Sequence, residues 1–360
     1  MADLKQYTFE HPFEQKDTVF YNVKDDPFEV FGICDYKNDK IYRRIPDDVA
    51  KATNEGVYTH ARQSAGGRIR FSTDSPYLII RAEIESYNKF NHMPLTSIAG
   101  MDVYIDGEWG SFFHKVVKAP YNFQNEYTEF VNFGSQKMRN LTINMPLFAV
   151  VKEIYIGVAP GSKIEKGKAY INTSPVVFYG SSITNGACCS RPGLCYENFI
   201  SRKLNLDYKN LGFSGSAKGE DSIVNYMASL DMLVFVCDYD HNAPTAEHLK
   251  NTHFKLYEAI RANHPTLPYV MITRPDAFGK ETVAYRTREV IYESYKKARA
   301  LGDENVYFID GESFFSGPDV DSCTVDTTHP NDIGFSKMAD KIGTVLQKII
   351  NGLMIGENVK

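Results

Sequence analysis

No run in this 360-residue chain approaches the length and apolarity of a membrane span, and no block of Lys and Arg interrupts it. A formal charge of −5 argues against a general nucleic-acid surface or a surface for anionic membranes. The opening residues, MADLKQYTFE, have neither the apolar core nor the small-residue cleavage site of a secretory signal. Regular cysteine spacing is missing too: Cys34, Cys188, Cys189, Cys195, Cys237 and Cys323 form no disulfide framework. There is no CxxC, and no histidine stands at zinc-ligand spacing beside Cys188, Cys189 and Cys195, which disfavours a metal or redox site there. These absences point to a reducing, cytoplasmic setting; a signal removed beforehand would make the protein secreted instead.

What is present is a well-mixed globular composition, 43% hydrophobic and 24% charged, on a chain longer than one typical domain. Two domains are expected. The 23 Tyr and 23 Phe fit sheet-rich cores, with a sugar-facing aromatic surface as the alternative. Residues 1–165 read as β structure, with alternating or β-rich runs at 68–73, 77–85, 101–105, 139–144 and 153–158 and turn signals such as Ala65-Gly66-Gly67 and Asp106-Gly107-Glu108 between them. No helical period stands out there. An antiparallel sandwich or jelly roll is predicted. From residue 170 to 360 the pattern becomes α/β. Strands are predicted at 176–179, 206–211, 231–237, 268–273 and 305–309, and helices at 194–205, 222–230, 245–263, 281–300 and 332–351. Such alternation implies a parallel sheet with helices on both faces.

The chemistry gathers at predicted strand ends of this second half, where open α/β sheets bind ligands. The run Val176-Val177-Phe178-Tyr179 enters Gly180-Ser181-Ser182-Ile183-Thr184, and the glycine lets the chain turn so that Ser182 can stand free as a nucleophile. Asn210-Leu211-Gly212-Phe213-Ser214-Gly215-Ser216 follows the second strand, and Asp238-Tyr239-Asp240-His241-Asn242 the third. Asp326-Thr327-Thr328-His329-Pro330 precedes the last helix. A serine nucleophile needs a base, for which His329 has the chemistry, and the base needs an acceptor, for which Asp326 is close. An oxyanion needs N–H donors, and the Ser182 and Gly215 amides and the Asn242 side chain are of that type.

These four blocks, in this order, resemble the SGNH (GDSL-type) hydrolase superfamily. The resemblance implies a flavodoxin-like α/β fold, Ser182 as nucleophile, Asp326 and His329 as its partners, and Ser182, Gly215 and Asn242 as the oxyanion hole. Gly100-Met101-Asp102-Val103-Tyr104 is similar to the Gly-x-Asp-Leu-Tyr signature of a β-sandwich that precedes some bacterial SGNH domains. The two-domain plan resembles carbohydrate esterases. Position 181 is Ser where the common pattern has Asp, and the third block departs from Gly-Thr-Asn-Asp. Some relatives work with a Ser–His dyad, a pattern in which Asp326 would not be needed.

Other readings of the same residues remain open. His329 before Pro330 has a plain structural alternative, as a cap for the last helix. His241 is an alternative imidazole beside Asn242. Asp238 and Asp240 are spaced as a carboxylate pair for glycoside cleavage, although a solvated loop suits their alternation better. Arg274 and Asp276 are placed to touch substrate or to pair in a loop. Asp102 and Tyr104 read as structural. The expected activity is hydrolysis of short acyl esters, acetyl above all, on a small-molecule or oligosaccharide substrate, with no metal or organic cofactor. A lipid- or thioester-directed hydrolase and a non-catalytic carbohydrate-binding protein are the rivals.

Overall fold

The computed structural model describes residues 4–108, 110–275, 283–315, 317–318, 320–352 and 358–359. The chain forms two compact units. One comprises Met1–Arg44, Arg62–Tyr170 and Ser190–Gly193; the other comprises Ile45–Ala61, Ile171–Cys189 and Leu194–Lys360. A single cut near residues 165–170 therefore misses two excursions, one in each direction.

The first unit is antiparallel β. Its strands are β1 (Val19–Asn22), β2 (Glu29–Phe31), β3 (Arg68–Thr73), β4 (Tyr77–Tyr87), β5 (Met101–Gly107), β6 (Gly110–Val117), β7 (Glu126–Asn132), β8 (Arg139–Asn144), β9 (Ala149–Val158) and β10 (Ile164–Lys166). They make one sheet in the order β1-β9-β4-β7 and another in the order β10-β3-β8-β5-β6, with β2 also paired to β3. Much of the aromatic surplus goes into packing. Phe9, Phe20, Tyr155 and Phe130 cluster around Tyr77 and Ile79, with Arg81 stacked 4.2 Å from the Phe9 ring. Phe112, Phe113 and Tyr121 remain exposed.

The first 165 residues are not free of helix. They hold α1 (Asp47–Thr53), α2 (Glu55–Ala61) and α3 (Leu95–Ile98). None exceeds seven residues, so none is long enough to show a helical hydrophobic period. The first two are stabilised locally. Asp47 and Asp48 open α1 where its dipole favours anions, and the Asn54 Oδ1 accepts the Val57 amide at 2.8 Å to cap α2.

The second unit is the α/β unit. Its sheet holds β11 (Asn172–Gly180), β12 (Leu206–Gly212), β13 (Val234–Asp238), β14 (Tyr269–Ile272), β15 (Val306–Ile309) and the two-residue β16 (Asn358–Val359). The order is β12-β11-β13-β14-β15-β16, every pair parallel. All of β13, β14 and β15 is buried, as in a sheet covered on both faces. Around it run α4 (Ser182–Asn185), α5 (Tyr196–Leu204), α6 (Asp221–Ala228), α7 (Ala246–Asn263), α8 (Val283–Ala300) and α9 (Asp332–Ile350). The apolar stripe of α9, from Met338 to Ile349, is buried as its spacing requires. The order reverses around β11, which puts the topological switch point, the place where such sheets bind ligands, at the carboxyl ends of β11 and β13.

The 45–61 excursion belongs to this unit by packing. Ile45, Ala50, Val57 and Ala61 join Val177, Tyr179, Leu211 and Phe213 in one core. Val57 has no solvent exposure. Val57→Ala is expected to cost about 2 kcal/mol in urea unfolding, as the deletion of two buried methyl groups does. A surface-like effect under 0.5 kcal/mol would show that the segment is not part of the core.

Candidate active site

Ser182 follows β11 directly, as the first residue of α4. The turn is tight because two positions lack a Cβ. One added at Gly180 would lie 2.9 Å from Thr184 Cβ, and one at Gly212 would lie 2.8 Å from Asn185 Cα. Glycine at both positions lets α4 settle against the ends of β11 and β12. Gly186, at φ +92, ends the helix in a left-handed cap.

From α4 a chain of hydrogen bonds leads outward. Ser182 Oγ lies 2.9 Å from His329 Nε2, and His329 Nδ1 lies 2.8 Å from Asp326 Oδ2. The segment carrying the last two is folded on itself: Val325 N–H donates to the His329 carbonyl at 2.9 Å, and Thr324 bridges to Pro330. Asp326 Oδ1 accepts the His329 amide at 2.7 Å and the Thr328 amide at 3.2 Å. His329 does not cap the last helix. Asn331 does, with its Oδ1 accepting from Ile333 and Gly334. Burial by itself would raise the Asp326 carboxyl, but the His329 amide and ring and the Thr328 amide outweigh it and bring it down to about 2. Asp326 is therefore an anion wherever His329 can act as a base.

The segments that carry the three expected oxyanion donors are tied together where β11, β12 and β13 end. Phe213 N–H donates to the Gly180 carbonyl at 2.9 Å, tying the loop after β12 to the nucleophile turn. The Phe213 carbonyl in turn accepts from Asn242 Nδ2 at 2.9 Å. Gly215 sits two residues further on, exposed, at φ +67, a left-handed conformation that suits glycine. Among the described residues the Ser182 and Gly215 amides have no protein acceptor, and the second Asn242 Nδ2 hydrogen has none either. All three are donors free to meet an oxygen.

A family model described as "GDSL-like Lipase/Acylhydrolase family" matches residues 173–347, and a second, GxDLY, described as the N-terminus of SGNH hydrolase-type esterases, matches residues 18–164. The chain matches the GDSL-like lipase/acylhydrolase family over residues 173–347. Its coarse activity class is thus that of an esterase or acylhydrolase. No protein of curated function matches it. Among solved structures, a protein described as a GDSL-like lipase from Bacteroides ovatus ATCC 8483 superimposes with a TM-score of 0.84 at 24% identity, covering 95% of this chain and 100% of its own. The salicylyl-acyltransferase SsfX3 of a tetracycline biosynthetic pathway gives 0.73 at 19%, covering 93% and 98%. The acetyl xylan esterase Est2A from Butyrivibrio proteoclasticus gives 0.59 at 12%, covering 93% and 99%. At these identities the likeness is one of fold.

Within the family frame the departures of this chain have physical explanations. Ser181, where the common pattern has Asp, is fully buried and caps α4, its Oγ accepting the Ile183 amide at 3.2 Å. Serine serves as well as aspartate in that role. Asp238 and Asp240 are not on a solvated loop, contrary to their alternation in sequence; both are buried. Thr184 Oγ1 donates to Asp238 Oδ2 at 3.4 Å and also meets the Tyr196 hydroxyl at 3.1 Å, while Asp240 Oδ2 accepts the Arg274 amide at 3.1 Å. The Thr184 bond sets Asp238 against the nucleophile turn as support for it, and the Arg274 bond ties Asp240 to the segment after β14. Arg274 contributes there through its backbone amide to Asp240 and through its charge, which acts on Asp238; Asp276 lies outside the described residues. His241 takes no part in the Ser182–His329–Asp326 chain.

Two groups stood out less in sequence. Cys188, at φ +73, is buried near Asp326; burial, then the Asp326 charge, pushes its thiol up to about 12, so it stays neutral and does not compete as a nucleophile. In the first unit, Asp102 is wholly buried. It accepts from Asn144 at 2.7 Å, from the Gly193 amide at 2.8 Å and from Arg191 at 2.8 Å, which accounts for an acid in that signature.

Burial, followed by the charges of Asp240 and Glu197, raises the Asp238 carboxyl well above its ordinary 3.8. Asp326 shifts the opposite way, and the signs differ accordingly. The stability from Asp326 is complete above its unfolded value of 3.8 and is lost as pH falls toward 2. Asp238 binds a proton on folding, so its contribution declines as pH rises above that same unfolded value. Asp238→Asn, neutral at every pH, is expected to raise the thermal midpoint more at pH 8 than at pH 4. Equal shifts at both pH values would mean that the carboxyl does not titrate between them.

Proposed function

We propose that the protein is a serine esterase that removes short acyl groups, acetyl above all, from a carbohydrate or a comparable small polyol. The observation that carries the reading is the unbroken chain from Ser182 Oγ to His329 Nε2 at 2.9 Å and from His329 Nδ1 to Asp326 at 2.8 Å. In this reading His329 Nε2 takes the Ser182 proton as Oγ attacks the ester carbonyl. The new oxyanion meets the Ser182 and Gly215 amides and the Asn242 side chain. Asp326, already ionised, keeps the proton on His329 Nδ1 and stabilises the imidazolium. His329 then protonates the departing alkoxide. Water gives its proton to the same nitrogen as it attacks the acyl-serine; the bond from the acyl carbon to Ser182 Oγ then breaks, Oγ takes that proton back from His329, and the carboxylic acid leaves.

The short-acyl assignment draws support from the absence, in sequence, of a long apolar insertion that would line an acyl groove. The carbohydrate assignment draws support from the acetyl xylan esterase named above, whose fold runs the length of this one. The fit to an acyltransferase makes transfer to an alcohol an alternative fate for the same acyl-serine.

The test is hydrolysis of p-nitrophenyl acetate, butyrate and octanoate, with Ser182→Ala alongside. The expected rate is highest on acetate, falls with chain length and drops by about 10⁴-fold or more in the variant. Rates rising with chain length would move the substrate to lipids. Unchanged turnover in Ser182→Ala would end the mechanism. Asp326→Asn is expected to retain more activity than His329→Ala, and equal losses would make the acid indispensable.

A further inference from the structure

We infer that Asn54, on the short helical excursion far upstream of the hydrolase residues, is a positioning residue for the oxyanion loop. This rests on the reading of Gly215 as an oxyanion donor.

The loop from Phe213 to Glu220 is secured at both ends. Its first carbonyl, that of Phe213, accepts the Ser216 amide at 2.8 Å, the Ala217 amide at 3.1 Å and Asn242 Nδ2 at 2.9 Å. Near its end the Gly219 amide donates to the Tyr179 hydroxyl at 2.9 Å. Between these anchors lie Ser214, Gly215 and Ser216. Gly215 is exposed, and a Cβ built on it would meet nothing within 4 Å. The turn around that glycine is closed by the Ser216 amide on Phe213 and by the Ser216 hydroxyl on the Ser214 carbonyl at 3.2 Å, so its geometry depends on where Ser216 is kept.

The excursion supplies a hold. Asn54 Nδ2 donates to the Ser216 carbonyl at 3.0 Å and to Glu220 Oε1 at 2.6 Å, so one amide grips the loop at two points four residues apart. Glu220 turns back on the same loop, its Oε2 accepting the Lys218 amide at 3.3 Å. Asn54 is fixed in turn, since its Oδ1 is committed to capping α2 through the Val57 amide at 2.8 Å. Gly56 lies flat against the loop: a Cβ there would come within 2.7 Å of Ser216 Cβ. The Ser222 hydroxyl donates to the Ala52 carbonyl at 3.2 Å, extending the seam into α6.

The consequence is catalytic as well as structural. An N–H donor stabilises an oxyanion only when it already points at the place where charge develops, and a loop free to turn loses that advantage. Asn54 holds the carbonyl of the residue that follows Gly215, and through the closed 213–216 turn it restricts the dihedrals on which the direction of the Gly215 amide depends. The second unit is thereby completed by a segment that precedes most of the first unit in sequence.

The test is Asn54→Ser, in the full chain. Serine keeps a good cap for α2 but is too short to reach Ser216. Turnover of p-nitrophenyl acetate is measured per active site titrated, beside wild type and Ser182→Ala. The expected result is a fall in kcat of roughly tenfold with KM within about twofold, and a matching loss of affinity for phenylboronic acid. In that adduct Ser182 Oγ bonds boron, its proton passes to His329, and a boron-bound oxygen occupies the oxyanion position. Gly56→Ala, which leaves Asn54 in place but pushes on Ser216, is expected to act in the same direction. Wild-type kcat and boronate affinity in Asn54→Ser, with only a lower thermal midpoint, would overturn the inference and leave the esterase reading standing. Turnover that survives Ser182→Ala would overturn both.

Discussion

The site depends on how closely α4 approaches the sheet. Ser182 occupies its position because the four-residue helix rests on the ends of β11 and β12, where Gly180 and Gly212 leave no room for a Cβ. A side chain at either place would push the helix outward and carry the nucleophile with it. The Phe213-to-Gly180 hydrogen bond then brings the next loop to the same edge, and Asn242 closes the third side through the Phe213 carbonyl. Three consecutive strands of a parallel sheet thus deliver their exits to one place, which follows from the order β12-β11-β13.

Beneath that turn lies a polar layer that a close-packed α/β core ordinarily avoids. Asp238, Asp240 and Glu197 are buried within reach of Thr184, Tyr196 and Asn210. Isolated buried carboxylates would be prohibitively costly, and the structure meets the difficulty in two ways: Asp238 is driven toward its neutral form, and hydrogen bonds are provided. The Asn210 amide also reaches the Thr184 carbonyl, so the layer holds α4 by its backbone as well as by a side chain. The contrast with Asp326 is instructive. Partly exposed and bonded to two amides and an imidazole, it is held toward its charged form, whereas burial pushes Asp238 toward its neutral one.

The strands and long helices of the second half were legible because each carries its own pattern. The five predicted helices there coincide with α5 to α9 within a few residues, and the predicted strands with β11 to β15. The start of β11 was missed. It begins at Asn172, but its register shifts before Val176, where Pro175 cannot donate to a ladder. Helices α1 and α2 were missed because seven residues make two turns, too few for periodicity to rise above composition. The Asp238 and Asp240 alternation misled for a related reason: period two says which residues share a face, and only packing says whether that face is wet.

Sequence alone determined the local chemistry of this protein. A glycine before a serine, a proline after a histidine and an aspartate three residues earlier specify turns and protonation partners over a few residues, where bonding is short-ranged. Block order along the chain carried the family and, with it, the fold. Tertiary structure decided whatever depends on residues distant in sequence. It brought Ser182 and His329 within 2.9 Å across 147 positions, submerged two aspartates, and seated Asn54 against a loop that begins more than 150 residues later. No pattern of period two or 3.6 encodes such meetings, because they arise from the packing of whole faces rather than from the preferences of neighbours.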